Sequence, residues 1–156
     1  MNVNDKVQYL LGNSPYMTIA SADATGKPWA SPVVFGYDEN CNLYWVSAKD
    51  ARHSRNIAAR PQVGIVIVGP LFDGSIDGIY FDAEAHELKS KADIGKAIFV
   101  LAQRKQEPKF TVKVIEDVAG EAAWRIYEAV PSEITKRSDT GKLVNGQYVA
   151  TREHVQ

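Results

Sequence analysis

A chain of 156 residues, 45% of them apolar and 24% charged, can bury a core of its own without metal or disulfide, because a chain of this size removes about 70% of its unfolded surface from water. Its formal net charge of −1 gives no basic footprint for nucleic acid or an anionic membrane surface. Cys41 is the single cysteine, which excludes an internal disulfide and a cysteine-based metal cluster. The start, Met1-Asn2-Val3-Asn4-Asp5, lacks the basic and apolar regions of a secretory signal. No stretch approaches the ~18 apolar residues of a membrane span, so a cytoplasmic protein is expected.

Val3, Val7, Leu10 and Leu11 fall at the spacing of a short amphipathic helix, with Asn2 or Asn4 as cap and Gly12-Asn13-Ser14-Pro15 as stop. From Tyr16 the period changes. Tyr16–Ala22, Trp29–Tyr37 and Leu43–Ser47 read as three strands separated by polar turns, the spacing of an antiparallel meander or barrel. Pro32 cannot donate to a sheet ladder, so its position is an edge, a bulge or a place where the sheet opens.

Ala51–Arg60 reads as a short helix ended by Pro61. Val63–Val68 is apolar on both faces and predicts a central, doubly buried strand. Gly69-Pro70 breaks it, and Leu71–Gly78 reads as a loop. Ile79, Phe81, Ala83 and Ala85 then alternate with polar neighbours as a fifth strand. Ser90 caps a predicted helix over Lys91–Gln106 that buries Ile94, Ala97, Ile98 and Leu101. Pro108–Asp117 could hold a second short helix or an extended run. Ala122–Val130 reads as a sixth strand, with Glu133–Lys136 prolonging it past Pro131, and the segment from Ser138 has the look of a glycine-containing hairpin. No repeat or linker divides the chain, so residues 1–156 are expected to form one α+β, mainly β domain.

Chemistry concentrates at Ser47-Ala48-Lys49-Asp50-Ala51-Arg52-His53-Ser54-Arg55-Asn56, a strand end followed by a helix start. Free backbone N–H groups and the positive end of the helix dipole suit a phosphate there. Arg52 adds a two-pronged donor fork, and Ser47 and Ser54 add hydroxyls. The plainer alternative is a set of solvated helix charges. Lys and Arg at a helix start oppose the dipole, which favours a compensating anion. His53 has no obvious carboxylate to orient it, and with His86 and His154 it makes no metal set. No catalytic acid–base pair stands out, and no metal site is expected. Cys41 reads as an incidental thiol. Trp29, Trp45 and Trp124 read as core anchors, one of which could wall a planar ligand.

The chain resembles the pyridoxamine 5′-phosphate oxidase-like, FMN-binding split-barrel flavoproteins over about Tyr16 to Tyr127. The likeness rests on Gly26-Lys27-Pro28-Trp29-Ala30-Ser31-Pro32-Val33-Val34-Phe35, on Leu43-Tyr44-Trp45-Val46-Ser47, on Arg52 to Val63, and on Ile79-Tyr80-Phe81-Asp82-Ala83-Glu84-Ala85. The resemblance implies a six-stranded antiparallel split β-barrel with short flanking helices, forming a homodimer with one FMN in each of two intersubunit clefts. It implies that the flavin ring lies against Ser31, Pro32 and Val33, that Val46 and Ser47 line the ribityl or phosphate side, and that Arg52 and His53 hold the phosphate. Ser54 belongs to the same proposed cofactor set.

His53 stands where the family carries Lys, which implies flavin affinity that weakens as His53 deprotonates. Ala30 replaces an Arg of the vitamin B6 oxidases, Ala83 replaces a common Gly, and no counterpart of their C-terminal Trp and Arg is found. A true pyridoxamine phosphate oxidase is therefore not expected. The leading expectation is an FMN-dependent oxidoreductase acting on a small organic substrate. The alternatives are a deazaflavin-dependent reductase of the same fold and a non-catalytic protein that holds flavin or haem.

Overall fold

The computed structural model describes residues 3–138 and 140–155. In chain order it runs α1 (Val3–Asn13), β1 (Met17–Ala22), β2 (Pro28–Val33), β3 (Gly36–Tyr37), β4 (Leu43–Ala48), α2 (Arg52–Ala59), β5 (Gln62–Pro70), β6 (Ile76–Glu87), α3 (Lys91–Ala102), β7 (Trp124–Arg137), β8 (Lys142–Val144), β9 (Gln147–Val149) and β10 (Arg152–His154). Asn2 as a cap and the side chain of Val3 lie outside the described residues. Among those described, no helix is long and apolar enough to cross a membrane.

The strands form one curled antiparallel sheet in the order β2-β1-β5-β6-β7-β4-β3, with β10 added to β7 and β8–β9 as a separate hairpin. This is the split barrel the resemblance implied, with more strands than six. The tail supplies three of the extra strands. The other arises because the expected strand Trp29–Tyr37 is interrupted at Val34-Phe35, where the chain crosses from one edge of the sheet to the other. β2 pairs only with β1, matching Thr18 with Pro32, while β3 pairs with β4 at Gly36–Tyr44 and Tyr37–Leu43. Pro32 therefore sits on an edge strand, where its missing N–H leaves no gap in a ladder. Two linking residues span only about 10 Å when extended, so the two edges meet at Gly36 and part beyond it. That parting is the split.

Strand faces follow the period-2 pattern in most places. Ile79, Phe81, Ala83 and Ala85 of β6 are all buried. β7 continues through Pro131 because Ser132 bulges out of register between the pairs Asp82–Glu133 and Ala83–Pro131, and the Ser132 hydroxyl donates to Asp82 O at 3.0 Å.

The expectation for Val63–Val68 needs correction. Val63, Ile65 and Ile67 enter the core, but Val66 is half-buried and Val68 is 55% exposed. The strand buried on both faces is β4. Its Leu43 and Trp45 enter the barrel interior and Tyr44 packs into a second cluster with Ile94, Leu101 and Ile126. The helices decide this: α1 and α2 send Val7, Leu10 and Ile57 into the barrel interior, and α3 covers β4. Gly36 lets α3 approach, since a Cβ there would stand 3.2 Å from Leu101 Cδ2.

Helix α3 begins as expected, with the Ser90 hydroxyl accepting from Asp93 N, but it stops at Ala102 rather than Gln106. The residues from Pro108 form neither the expected helix nor a strand, apart from one 3-10 turn over Ile115–Asp117. The early stop frees Arg104, which is 7% exposed. Its Nε donates to Pro108 O at 3.0 Å, its Nη1 to Phe35 O at 2.7 Å and its Nη2 to Pro15 O at 2.7 Å. One buried cation thus holds the end of α3, the crossing between β2 and β3, and the approach to β1. Arg104→Met is expected to lower unfolding free energy in urea by about 3 kcal/mol or more, because three carbonyls lose charge-assisted donors. A loss under about 1 kcal/mol would show that these bonds do not hold the crossing.

Candidate functional site

Beyond the Gly36–Tyr44 pair, β2 and β4 diverge and the first turn of α2 fills the gap. The chain leaves β4 through a turn in which Ala51 N donates to Ala48 O at 3.1 Å. Ala51 offers no side-chain cap and the first turn of α2 has no acidic residue, so the leading N–H groups of the helix have no built-in anion. The helix is anchored from within. Ser54 Oγ donates to Ala48 O at 2.8 Å, Asn56 Nδ2 donates to Ser21 Oγ at 3.1 Å, and Ile57 is 3% exposed. Arg60 turns extended ahead of Pro61, which ends the helix.

The two sides of the gap meet different residues of this turn. Toward β2, the Arg52 guanidinium lies over the Trp29 ring, 4.3 Å from its centroid, and the Trp29 indole donates to Ser31 Oγ at 2.8 Å. Stacking on an aromatic face leaves the N–H edge of a guanidinium available for a planar anion. Asp23, in the β1–β2 turn, is held below its ordinary value first by the Thr25 hydroxyl and the Lys27 N–H, with a smaller share from the Arg52 charge. Toward β4, Ser47 Oγ and His53 Nε2 lie 2.7 Å apart. Burial pushes the His53 imidazole below its ordinary 6.5, so at neutral pH this is a neutral ring sharing one proton with a hydroxyl.

Arg52, His53, Ser47 and Ser31 therefore converge on one end of the split. Val33 is a core residue at 9% exposure, Pro32 is exposed on the edge, and Ser54 is buried with its proton committed to Ala48 O. Val46 lies on the opposite face of β4 from Ser47. There it lines a pocket of about 400 Å³ with Val34, Phe110, Val112 and Trp124. Trp29 is the tryptophan that stacks on Arg52, a distinction its sequence neighbours do not reveal. The contribution of residues 108–117 is likewise invisible to periodicity, because that segment is irregular. Among the described residues, no group of three or more His, Cys, Asp or Glu side chains could hold a metal ion.

Comparison with known proteins agrees with this architecture. The pyridoxamine 5′-phosphate oxidase family matches residues 3–123, and the chain belongs to that family. No curated protein matches it by sequence. Among solved structures, the haem storage protein HutZ from Vibrio cholerae is similar with a TM-score of 0.67 at 18% identity, over 86% of this chain and 94% of that one. An FAD-binding protein from Mesorhizobium loti gives 0.64 at 15%, over 87% and 94%. Campylobacter jejuni ChuZ gives 0.68 at 12%, over 94% and 61%. At these identities the likeness is one of fold.

Because the folded chain holds His53 below its unfolded value, the unfolded chain takes up that proton first as pH falls. The contribution of this site to stability is complete above pH 6.5 and is lost as pH drops through the folded value. The urea midpoint of the wild type should fall between pH 7.5 and 5.5 by more than that of His53→Gln, which keeps a partner for Ser47 but cannot titrate. Equal falls in the two proteins would remove His53 as the cause.

Proposed function

We propose that this is a cytoplasmic FMN-binding oxidoreductase acting on a small organic substrate, with the cofactor seated at the split. The observation that carries the reading is Arg52 held on the face of Trp29 at the uncapped start of α2, beside the Ser47–His53 pair. That donor set fits a phosphate monoester: a fork with its N–H edge free, backbone N–H groups at a helix start, a hydroxyl and a neutral imidazole. Membership of the oxidase family supports the reading, as does a structural neighbour described as FAD-binding.

In this reading Arg52 binds the phosphate and Trp29 keeps the guanidinium oriented, with Ser47 and His53 beside them. Ser31, Pro32 and Val33 present an edge strand for the ring to lie against. Bound flavin supplies two-electron redox chemistry, so the chain itself need provide only position and exclusion of water. Ser31 is 8% and Ser47 6% exposed, so the inner wall of the site is already shielded from solvent.

A second copy of the chain completes the cleft. On the outer face of β1 and β5, Thr18 lies beside Val66 and Ala20 beside Gly64, with Val68 exposed further along. A sheet face left to water is ordinarily polar, so this small and apolar one suits a self-complementary contact. Val68→Glu should shift the sedimentation mass from dimer to monomer. An unchanged mass would move the interface elsewhere.

One observation favours a second reading, haem in place of flavin. His154 Nδ1 lies 3.0 Å from Glu133 Oε1 and the ring is 76% exposed, the carboxylate-oriented arrangement that suits an iron ligand at Nε2. HutZ, a haem storage protein, shares the fold. The absorbance spectrum of the purified protein separates the two, and the flavin reading expects flavin bands with no Soret band. FMN added to flavin-free protein should bind, outcompeting a deazaflavin. Arg52→Ala should weaken FMN about 10- to 100-fold, as loss of a charge-assisted pair implies, while riboflavin, which has no phosphate, is unaffected. A colourless protein that ignores FMN in fluorescence titration would refute the proposal.

A further inference from the structure

We infer that the outer face of the sheet is self-complementary about one row of side chains, Thr18, Val66, Tyr80 and Thr135, and that a second copy docks there with its strands reversed and a two-fold axis along that row. The inference rests on the second copy proposed above and fixes which residues meet. Thr18 lies beside Val66, Val66 beside Tyr80 and Tyr80 beside Thr135, so the row crosses β1, β5, β6 and β7 on one face. That face points away from the core, since the intervening Ile19, Ile65 and Phe81 are buried. Rotation about the row sets each position two residues to one side against the position two residues to the other side on the same strand of the second copy.

Shape and charge both obey this symmetry. On β5 the positions either side of Val66 are Val68, which is 55% exposed, and Gly64, where a Cβ would meet only Ala20 Cβ at 3.9 Å. The rotation lowers the Val68 side chain of one copy into the recess over Gly64 of the other. On β7 the positions either side of Thr135 are Arg137 and Glu133. Each is doubled by a neighbour of the same sign: Arg152 pairs with Arg137 and stacks on Tyr80 at 3.9 Å, and Asp82 pairs with Glu133. Like charges directly opposite on neighbouring strands destabilise a sheet. Glu133 contacts the His154 imidazole at 3.0 Å, and Arg137 makes no ion pair with another described residue. An acidic partner would answer the arginines and be repelled by Asp82 and Glu133. A surface carrying both signs in reversed order satisfies both pairs, and this face of a second copy is such a surface.

Arg137 and Glu133 stand four residues apart on β7, about 13 Å along an extended strand, too far to pair within one chain. Mutual rescue between them therefore reports a contact between copies. The test is sedimentation equilibrium of the full chain as purified, of Arg137→Glu, of Glu133→Arg, and of the two variants mixed in equal amounts. We expect the wild type to be a dimer and each variant alone to dimerise at least tenfold more weakly, because both symmetry-related contacts then join like charges. The mixture should regain dimers, since one chain of each kind restores two opposite-charge contacts. Glu133→Arg also removes the His154 contact, so Gly64→Val provides a variant that fills the recess without touching any charge; it should weaken the dimer at least tenfold with an unchanged far-UV spectrum. A wild-type dimer whose variants dimerise normally, or a mixture no more dimeric than its components, would overturn this register and leave the second copy standing. A monomeric wild type would overturn both.

Discussion

The bond from Arg104 Nη1 to Phe35 O, 2.7 Å long, sits where the barrel changes character. On one side of Phe35 the chain belongs to β2 and pairs with β1. On the other it belongs to β3 and pairs with β4. A carbonyl at such a crossing lies outside the main ladders and, if buried without a donor, costs free energy comparable to a lost hydrogen bond. Arg104 supplies the donor and ties the same point to Pro108 and Pro15. With the two edges held together there, they must part further along, and the opening needs something to fill it. The first turn of α2 does so from within, and residues 108–117 cover the outer side.

The two flanks of the opening differ electrically. On the β2 side a permanent charge is spread over an indole face. On the β4 side an imidazole is kept neutral by burial, with Ser47 Oγ 2.7 Å from its Nε2. The start of α2 thus sets a guanidinium stacked on an indole beside an uncharged imidazole, with no acidic residue in the first turn. On the outer flank the charges of Lys109 and Asp117 are spent on backbone groups, which leaves an apolar wall. Polar and apolar sites thus lie back to back across β4, because successive side chains of a strand point to opposite faces.

Most elements were legible because short-range periodicity reports which face a residue takes. β6 follows its alternation residue by residue, and Ser90 caps α3 as its side chain requires. The strand end and helix start around Ser47–Ser54 were legible for the same reason, since both are local events. Periodicity failed where burial depends on a distant element. Val66 and Val68 have the apolarity of a doubly buried strand, yet whether their face is covered depends on where the helices dock. β4 reads as an ordinary strand and is the one sealed on both sides. The segment after Ala102 misled because its course follows Arg104 and the carbonyls that Arg104 reaches, which lie as far back as Pro15 in the chain.

The sequence by itself determined most of the strands and helices, the barrel-type meander, the choice of edge, bulge or opening at Pro32, and the grouping of Ser47, Arg52 and His53 at a strand end and helix start. These follow from properties each residue carries wherever it is placed: a missing N–H, a capping hydroxyl, an alternating side chain. Tertiary structure decided that Trp29 and not Trp45 or Trp124 supports Arg52, that His53 is neutral and tied to Ser47, that Ser54 faces the body of the protein, and that Val46 opens on a separate apolar pocket. Each of these depends on the angle between elements far apart in the chain. That angle is set by the crossing at Val34-Phe35 and by the buried cation that holds it.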